Sequence, residues 1–359
     1  MVVSSVERVG LDQLDASLNP FQSQFWAKAK RASGWIAFAF RFSHAPSEAV
    51  ESSSTVILVL VRRMIFSTKL AYVPFGPDTS AYRSDASSLV REFSRLVRPL
   101  LPKGTAFIRF DLPWGARDSE EVLSVEGKGL RVCRESVQPE GTARIDLSEG
   151  YDAVRLRYRE RARRNIRKTG AKSIRIERWL GDEQTFNTWY NVYLETAKRD
   201  GFTARSSSYI KNILTLDIPD VRPFLYVATL GQTMLGGAIV LESQKVAVYL
   251  YGASLRVDGT SPSYLLQDHA IAQACERGCL IYDFYGISGP RQRGSHLEGL
   301  RLFKRAFGGY VCYRAPTFDY VYKRLPRFLY AWVEQVRYKS HRRRHPKRMS
   351  QQFSVSTEE

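Results

Sequence analysis

Apolar positions along the chain keep two rhythms. Runs rich in β-branched and aromatic residues mark strands at 35–42 (WIAFAFRF), 54–63 (STVILVLVRR), 68–76 (TKLAYVPFG, closing in a Pro-Gly turn) and 105–111 (TAFIRFD). Helical spacing marks 20–31, opened by Pro20, and 86–101, where Leu89, Phe93, Leu96 and Leu100 recur on one face. Strand, strand, helix and strand within one segment predict a mixed α/β unit.

A second unit follows with a similar rhythm. Helices are expected at 183–199 and from 205 to 215, then strands at 223–230, 234–241 and 245–251, a helix at 261–277 and a strand at 279–285. Gly236-Gly237 falls inside a strand pattern and reads as a bulge or a close backbone approach. This order is that of an N-acetyltransferase-like (GNAT-like) domain. The expected fold is therefore α/β with mixed sheets, a tandem pair of GNAT-like domains. The first spans 1–150. The second spans 151–320 and opens with a basic helix at 151–170. Residues 321–359 form an amphipathic helix and basic tail that pack back on the first domain. Only element order carries the repeat, because the halves share no visible identity.

Charge narrows the partners. The 359 residues hold 54 Lys+Arg against 36 Asp+Glu, a formal +18, which favours polyanions such as nucleic acid, phosphorylated substrates or anionic lipid. From Arg155 to Lys168 the chain carries Arg155, Arg157, Arg159, Arg161, Arg163, Arg164, Arg167 and Lys168 against Glu160 alone. Such spacing surrounds a helix with like charge, which resists folding until an anion neutralises it. The plain reading is a solvated linker helix; the sharper one is a docking surface for a phosphate backbone. A second basic run, seven Lys/Arg from Arg337 to Arg348, follows the amphipathic stretch Leu325, Phe328, Leu329, Trp332, Val336. It suits a solubilising tail, or contact with RNA or anionic lipid. The last residues, QQFSVSTEE, read as disordered.

Several chemistries find no support. Cys133, Cys275, Cys279 and Cys312 make neither a disulfide framework nor a zinc site. His44, His269, His296, His341 and His345 are scattered, and GISGP at 286–290 is not a serine nucleophile elbow. No P-loop or dinucleotide fingerprint is present, so no cofactor and no metal are expected. The N-terminus lacks a basic region followed by an apolar core, and the longest apolar run, Thr55–Val61, is far short of the ~20 residues that span a bilayer. A cytoplasmic monomer, touching the inner face of the membrane, is the expectation. What remains is direct transfer between two bound substrates, which needs positioning and charge stabilisation more than a reactive side chain.

Five segments together resemble the Fem family of peptidoglycan-bridge aminoacyltransferases: QSQFWAKAK (22–30), RERARRNIRKTGAKSIRIE (159–177), ETAKRDGFTARSSSYI (195–210), LYGAS followed by SPSYLLQDHAIAQACERGCLIYDFYGIS (250–288), and GLRLFKRAFGG (299–309). The resemblance runs from about residue 20 to about 325. No long heptad run is present, so the chain is similar to the compact members that lack an inserted helical hairpin. It implies aminoacyl-tRNA as donor and UDP-MurNAc-pentapeptide or lipid II as acceptor. The attacking amine would belong to the diamino acid of the stem peptide, and the residue added would be a small one such as Ala, Ser or Gly.

The resemblance also implies roles. Lys30, near the start of the first helix, would hold acceptor phosphate, with Lys28 as the alternative. Arg205 and Tyr209, four apart on one helix face, would bind the acceptor's diphosphate, with Arg199 a weaker candidate and Tyr251 lining the substrate. Lys304 would stabilise the oxyanion or the leaving ribose oxygen, and Phe303 would stack on the terminal adenosine. Asp111 would orient the attacking ammonium or take its proton. Arg159, Arg163, Arg164, Arg167 and Lys168 would meet the tRNA. Each position also has a plain reading: a surface lysine, a helix cap, a core aromatic, a turn aspartate. Two other functions compete. One is acyl-CoA transfer in polysaccharide or lipid modification, against which 259–269 lacks the glycine loop for a pyrophosphate. The other is non-catalytic RNA binding, which would leave the cleft residues without a task.

Overall fold

A computed structural model describes residues 3–44, 54–64, 67–78, 86–119, 124, 127–134, 136, 138–289 and 298–344. The first half carries β1 (Val3–Val9), α1 (Gln24–Arg31), β2 (Ile36–His44), β3 (Ser54–Arg63), β4 (Lys69–Val73), α2 (Ala86–Val97), β5 (Thr105–Phe110) and β6 (Leu130–Val132). Then come β7 (Gly141–Asp146), α3 (Tyr151–Leu156), α4 (Glu160–Gly170), β8 (Arg175–Arg178), α5 (Glu183–Asp200) and α6 (Ser207–Thr215). The chain continues with β9 (Arg222–Leu230), β10 (Thr233–Glu242), β11 (Val246–Ser254), α7 (Pro262–Glu276), β12 (Ile281–Asp283), α8 (Glu298–Arg305) and β13 (Tyr310–Tyr313). β14 (Phe318–Val321) and α9 (Arg324–Arg344) follow.

The strands form two seven-stranded sheets, ordered β1-β2-β3-β4-β5-β14-β6 and, from the far edge, β8-β9-β10-β11-β12-β7-β13. Position by position the two match. Each begins with an antiparallel meander of four strands, adds a fifth in parallel, and ends with two antiparallel strands. A parallel step needs a crossover, supplied by α2 in the first sheet and α7 in the second. The tandem GNAT-like architecture is thus a repeat of topology, which explains why no sequence repeat is visible.

Sheet membership divides the chain differently from the line drawn at 150 and 320. The chain leaves the first sheet after Val132 and enters the second at Gly141; it returns between Tyr313 and Phe318. Strands β1, β6, β7, β8, β13 and β14 have no counterpart in the periodicity reading, being short or flanked by polar residues. The expected strand 279–285 shortens to three residues. Asp283 Oδ1 accepts the amide of Tyr285 at 2.8 Å, and Tyr285 turns to φ 45°. Strand 68–76 ends at Val73, where Pro74 removes the next donor.

One apolar cluster joins the sheets. Phe25, Trp26, Ala39, Leu58 and Leu60 of the first unit pack with Ile213, Leu241, Val248 and Leu250 of the second. α1 lies within this contact, and Asp220 of the second unit accepts the Gln24 amide at 2.7 Å at its N-terminus. In β10, a Cβ on Gly237 would meet the Trp189 ring at 2.5 Å, so the glycine is what lets α5 lie directly on the strand.

The basic segment departs from the expectation of one encircled helix over 151–170. It breaks into α3 and α4 because Tyr158 turns inward, edge-on to Phe307 at 5.2 Å, while the Arg159 amide donates to Ala306 O at 2.8 Å. α4 then buries Ala162, Ile166 and Thr169 at i, i+4, i+7 against α7. The charge is a stripe, not a ring, and the helix forms by packing: Arg159, Arg163, Arg164, Arg167 and Lys168 all stay exposed. Residues 345–359, with the end of the basic run and QQFSVSTEE, lie outside the described residues.

α9 lies against β5. Arg109, only 1% exposed, donates through Nε to Asp319 at 2.7 Å and through Nη1 to Glu334 of the helix at 2.6 Å. Tyr330 stacks obliquely over Phe107 at 5.4 Å. A buried cation stripped of its partner is costly, so Asp319→Ala should lower stability by about 3 kcal/mol in urea unfolding. A loss under about 1 kcal/mol, the range of a surface pair, would show that the network does not hold β14 and α9 in place.

Candidate active site

β11 and β12 pair over only three residues, Val246–Val248 with Ile281–Asp283, whereas β11 runs on to Ser254. Past Val248 and Asp283 the two strands part, and this opening is where the candidate residues gather. A register shift between Ile239 and Val240 leaves Leu250 as an extra residue on β11. The bulge re-aims the side chains: Tyr249 packs with the α4–α7 core, Tyr251 with the α1–α5 side.

On the Tyr251 side, four of the expected substrate residues meet. Lys30 Nζ donates to Tyr209 Oη at 2.7 Å and lies 4.3 Å over the Trp26 ring. The Arg205 guanidinium sits 5.9 Å over the Tyr209 ring and bonds Tyr251, which also bonds Tyr209. Two local details differ from expectation. Lys30 is in the last turn of α1, not its start. Arg205 precedes α6, whose N-cap is Ser206, its hydroxyl accepting from the Tyr209 amide. The residue pair therefore meets across a capped turn, not along a helix face.

Burial holds the Lys30 ammonium down at about 7, and the positive charges of Arg205 and Arg62 push in the same direction. The Tyr209 phenol is held well above its usual value, chiefly by burial and then by Tyr251. The cluster is thus two cations and two protonated phenols with no carboxylate among them, a donor set for a polyanion. Arg199 is not part of it. Its guanidinium is pinned by Asp200 and by Ser254 O at 2.6 Å, bracing the end of β11. The lysine that reaches the cluster is Lys30, not the alternative Lys28.

On the other side of the opening stands Lys304, 5% exposed. Its ammonium donates to the carbonyls of Tyr285 and of Gly286, the latter at 2.7 Å. Tyr285 and Gly286 both have positive φ, 45° and 65°. For tyrosine that conformation costs roughly 1–2 kcal/mol, which the surrounding contacts outweigh. Burial lowers Lys304 to about 7, opposed only by the nearby charge of Asp283. Two of its three donors are engaged, which leaves one for a ligand. Phe303 is half-buried and edge-on to Tyr264 at 5.0 Å, within the aromatic group of Phe284 and Phe307.

Asp111 does not match its expected role. Fully buried, its carboxylate accepts from Tyr72 Oη at 2.6 Å, from Thr317 Oγ1 and from the Arg314 guanidinium at 2.8 Å. It is consumed in structure and is not presented to an incoming amine. The sequence reading missed what it anchors. Gln138 donates to Tyr72 Oη at 2.9 Å and accepts from Tyr285 Oη. The residues around Lys304 are thereby tied to the first sheet. A polar Gln138 between two unassigned segments gave no periodic signal. Asp283 inside an apolar strand was the one visible hint.

The FemAB family profile matches residues 121–232 and 226–335, together more than half of the chain. The chain belongs to the FemAB family. Proteins named lipid II:glycine glycyltransferase from two strains of Staphylococcus aureus, bovine RF122 / ET3-1 and USA300, are each 21% identical over 385 aligned positions, covering 87% of this chain and 89% of theirs. A crystal structure of FemX superposes with a TM-score of 0.68 at 19% identity, covering 91% of this chain and all of that one. That likeness supports the tandem fold.

Within this FemAB member, the Lys30 site makes a pH-dependent prediction. Its folded value lies below the ordinary 10.5, so the ammonium is half lost at about 7 and fully present only well below it. Pyrophosphate binding should be strongest there and fall as pH rises through 7 to 8, towards what Arg205 alone supports. An anion bound to the ammonium raises its value again, so binding at pH 8 should take up a proton. Calorimetry in buffers of different ionisation enthalpy measures that uptake. Buffer-independent heats, or wild-type behaviour in Lys30→Met, would remove Lys30 from the anion site.

Proposed function

We propose that this chain transfers an amino acid from aminoacyl-tRNA to the side-chain amine of the stem-peptide diamino acid of a peptidoglycan precursor, forming an interpeptide bridge. The observation that carries the reading is the pairing, at one strand opening, of a carboxylate-free polyanion cluster (Lys30, Arg205, Tyr209, Tyr251) with a buried lysine near neutrality, Lys304. The names of the S. aureus relatives support the acceptor class. A lipid-linked acceptor would bring the enzyme to the inner face of the membrane.

In this reading the acceptor's diphosphate lies on the cluster and presents its amine toward Lys304. The amine nitrogen attacks the ester carbonyl carbon of the donor. An N–C bond forms, the C–O bond to ribose breaks, and the proton lost by nitrogen leaves with the ribose oxygen. Negative charge grows first on the carbonyl oxygen and then on the leaving oxygen. The remaining Lys304 donor stabilises it, in a site where burial strengthens the interaction. A lysine near 7 also matches the range in which a group both gives and accepts a proton efficiently. Asp111 acts through Tyr72, Gln138 and Tyr285 as a positioning residue. Phe303 offers its half-exposed ring to the donor's terminal base.

The donor reading draws on the exposed stripe of α4. It also draws on the start of α7, the end of a helix that most readily takes an anion. Here Ser261, the N-cap, donates its hydroxyl to Asn165 at 3.0 Å, and its amide is taken by Thr169 Oγ1 at 3.0 Å. With that amide engaged by α4 and no amide donor on Pro262, the turn offers fewer donors to a CoA pyrophosphate, which disfavours acyl-CoA as donor.

Transfer of labelled amino acid from a charged tRNA pool to UDP-MurNAc-pentapeptide and to lipid II tests the reaction. Lys304→Met should reduce transfer by roughly 100-fold or more, the usual effect of removing a charge-stabilising donor. Lys304→Arg should keep part of the activity and lose an alkaline limb near pH 7, because arginine stays charged. No transfer to either acceptor with any tRNA would overturn the reading. For the donor surface, replacing Arg163, Arg164 and Arg167 with Gln should weaken tRNA binding and flatten its salt slope by roughly 2 to 3. An unchanged slope would remove α4 from the tRNA site.

A further inference from the structure

α9 turns its amphipathic pattern the unusual way round. Its charged and phenolic residues Arg327, Tyr330 and Glu334 face the protein and are bound by Asp319, Phe107 and Arg109. Its apolar stripe faces out: Leu325 is 68% exposed, Phe328 65%, Trp332 59% and Val336 47%. These residues recur at i, i+3, i+7 and i+11, so they form a continuous line along the outer side of the helix. An exposed apolar line of this size marks a contact surface.

Beside it runs a basic groove of about 920 Å³ between α9, α2 and the β6–β14 edge. Arg91, Arg95, Lys128, Arg131 and Arg324 line it, with Phe328 at its rim. The single acid there, Glu92, is engaged by the Val3 amide at 2.9 Å. Among the described residues, none of Arg95, Lys128, Arg131 and Arg324 is paired with a carboxylate. Cations and an apolar line with an outward tryptophan thus share one face. A bilayer with anionic headgroups matches both parts, the cations meeting phosphates and the Trp, Phe and Leu side chains entering the interfacial zone. RNA would use the groove but leave the apolar stripe in water. Among the described residues no helix is long and apolar enough to cross a membrane, so the contact is peripheral.

We propose that the outer face of α9, together with the groove lined by Arg95, Lys128 and Arg131, docks the protein on a bilayer containing anionic phospholipid. The docking surface is separate from the strand opening and does not depend on the transfer chemistry proposed above.

Sedimentation of the full chain with vesicles tests it, using phosphatidylcholine alone and an equal mixture with phosphatidylglycerol. The wild type should partition to the mixed vesicles, more weakly as salt rises, and hardly at all to the neutral ones. Two variants divide the surface: Phe328→Ser with Trp332→Ser, and Arg95→Gln with Lys128→Gln and Arg131→Gln. Among the described residues, all these side chains except Arg131, whose Nη1 reaches only the adjacent Leu130 carbonyl, are without a hydrogen-bond partner, so both variants should melt like the wild type. Each should lose roughly tenfold or more in partitioning. Transfer to the soluble acceptor should be unaffected in both, which separates failure of docking from failure of the transfer reading. Absence of wild-type binding to the mixed vesicles, or wild-type binding by both variants, would overturn the proposal. So would variants that keep vesicle binding but lose tRNA affinity, which would give the groove to RNA instead.

Discussion

Asp111 and Arg314 are both removed from water at the junction of the two sheets, and neither tolerates the loss of the other. Asp111 closes β5; Arg314 stands in the short link by which the chain leaves β13 and returns to the first sheet as β14. The guanidinium also donates to the carbonyls of Pro139, at 2.7 Å, and Gln138, on the outgoing link. One cation therefore fastens both crossings between the halves. Its geometry fixes where β14 lies and, through Asp319 and Arg109, where α9 rests. Gln138, held in the same link, carries the constraint on to Tyr72 and Tyr285. The turn that grips Lys304 is positioned by the same residues that join the domains.

That arrangement explains how a site can be built on desolvated cations. Lys30 and Lys304 each lie near 7 instead of 10.5. Keeping them charged costs stability on the order of a few kcal/mol each at neutral pH and below. The cost fades as pH rises from about 7 to 10.5, where the unfolded chain still binds the protons and the folded one does not. In the proposed function, anionic substrates offset it on binding. The shared apolar cluster and the buried Asp111–Arg314 pair supply the rigidity that holds the cations in place while empty. In the proposed function, transfer rests on charge stored next to an opening between two parallel strands, not on a reactive nucleophile.

Much of the fold could be read from the chain because the long strands and helices, such as β3 and α5, carry strong periodicity. The repeat was legible as element order. The strands that stitch the halves together were not, since β6, β7, β13 and β14 are three to six residues long and gain their place from partners far along the chain. Among candidate residues, Lys30, Arg205, Tyr209 and Tyr251 converge as the family resemblance implied. Spacing alone misjudged how: Arg205 reaches Tyr209 from before the helix cap, and the Leu250 bulge turns Tyr251 toward them. Asp111 looked available because a carboxylate before Leu-Pro gives no sign of a buried arginine two hundred residues away. The apolar line of α9 was visible as a pattern, but the pattern could not say which face packs inward.

The most direct test of the account is to titrate the lysine side chains by carbon-13 NMR of protein labelled at lysine Cε. Two resonances should titrate near pH 7, one disappearing in Lys304→Met and the other in Lys30→Met. If the resonances of Lys30 and Lys304 titrated near the ordinary 10.5 instead, these ammonium groups would be fully solvated or paired with acids. The site would then not be the desolvated cation cluster on which the proposed transfer depends.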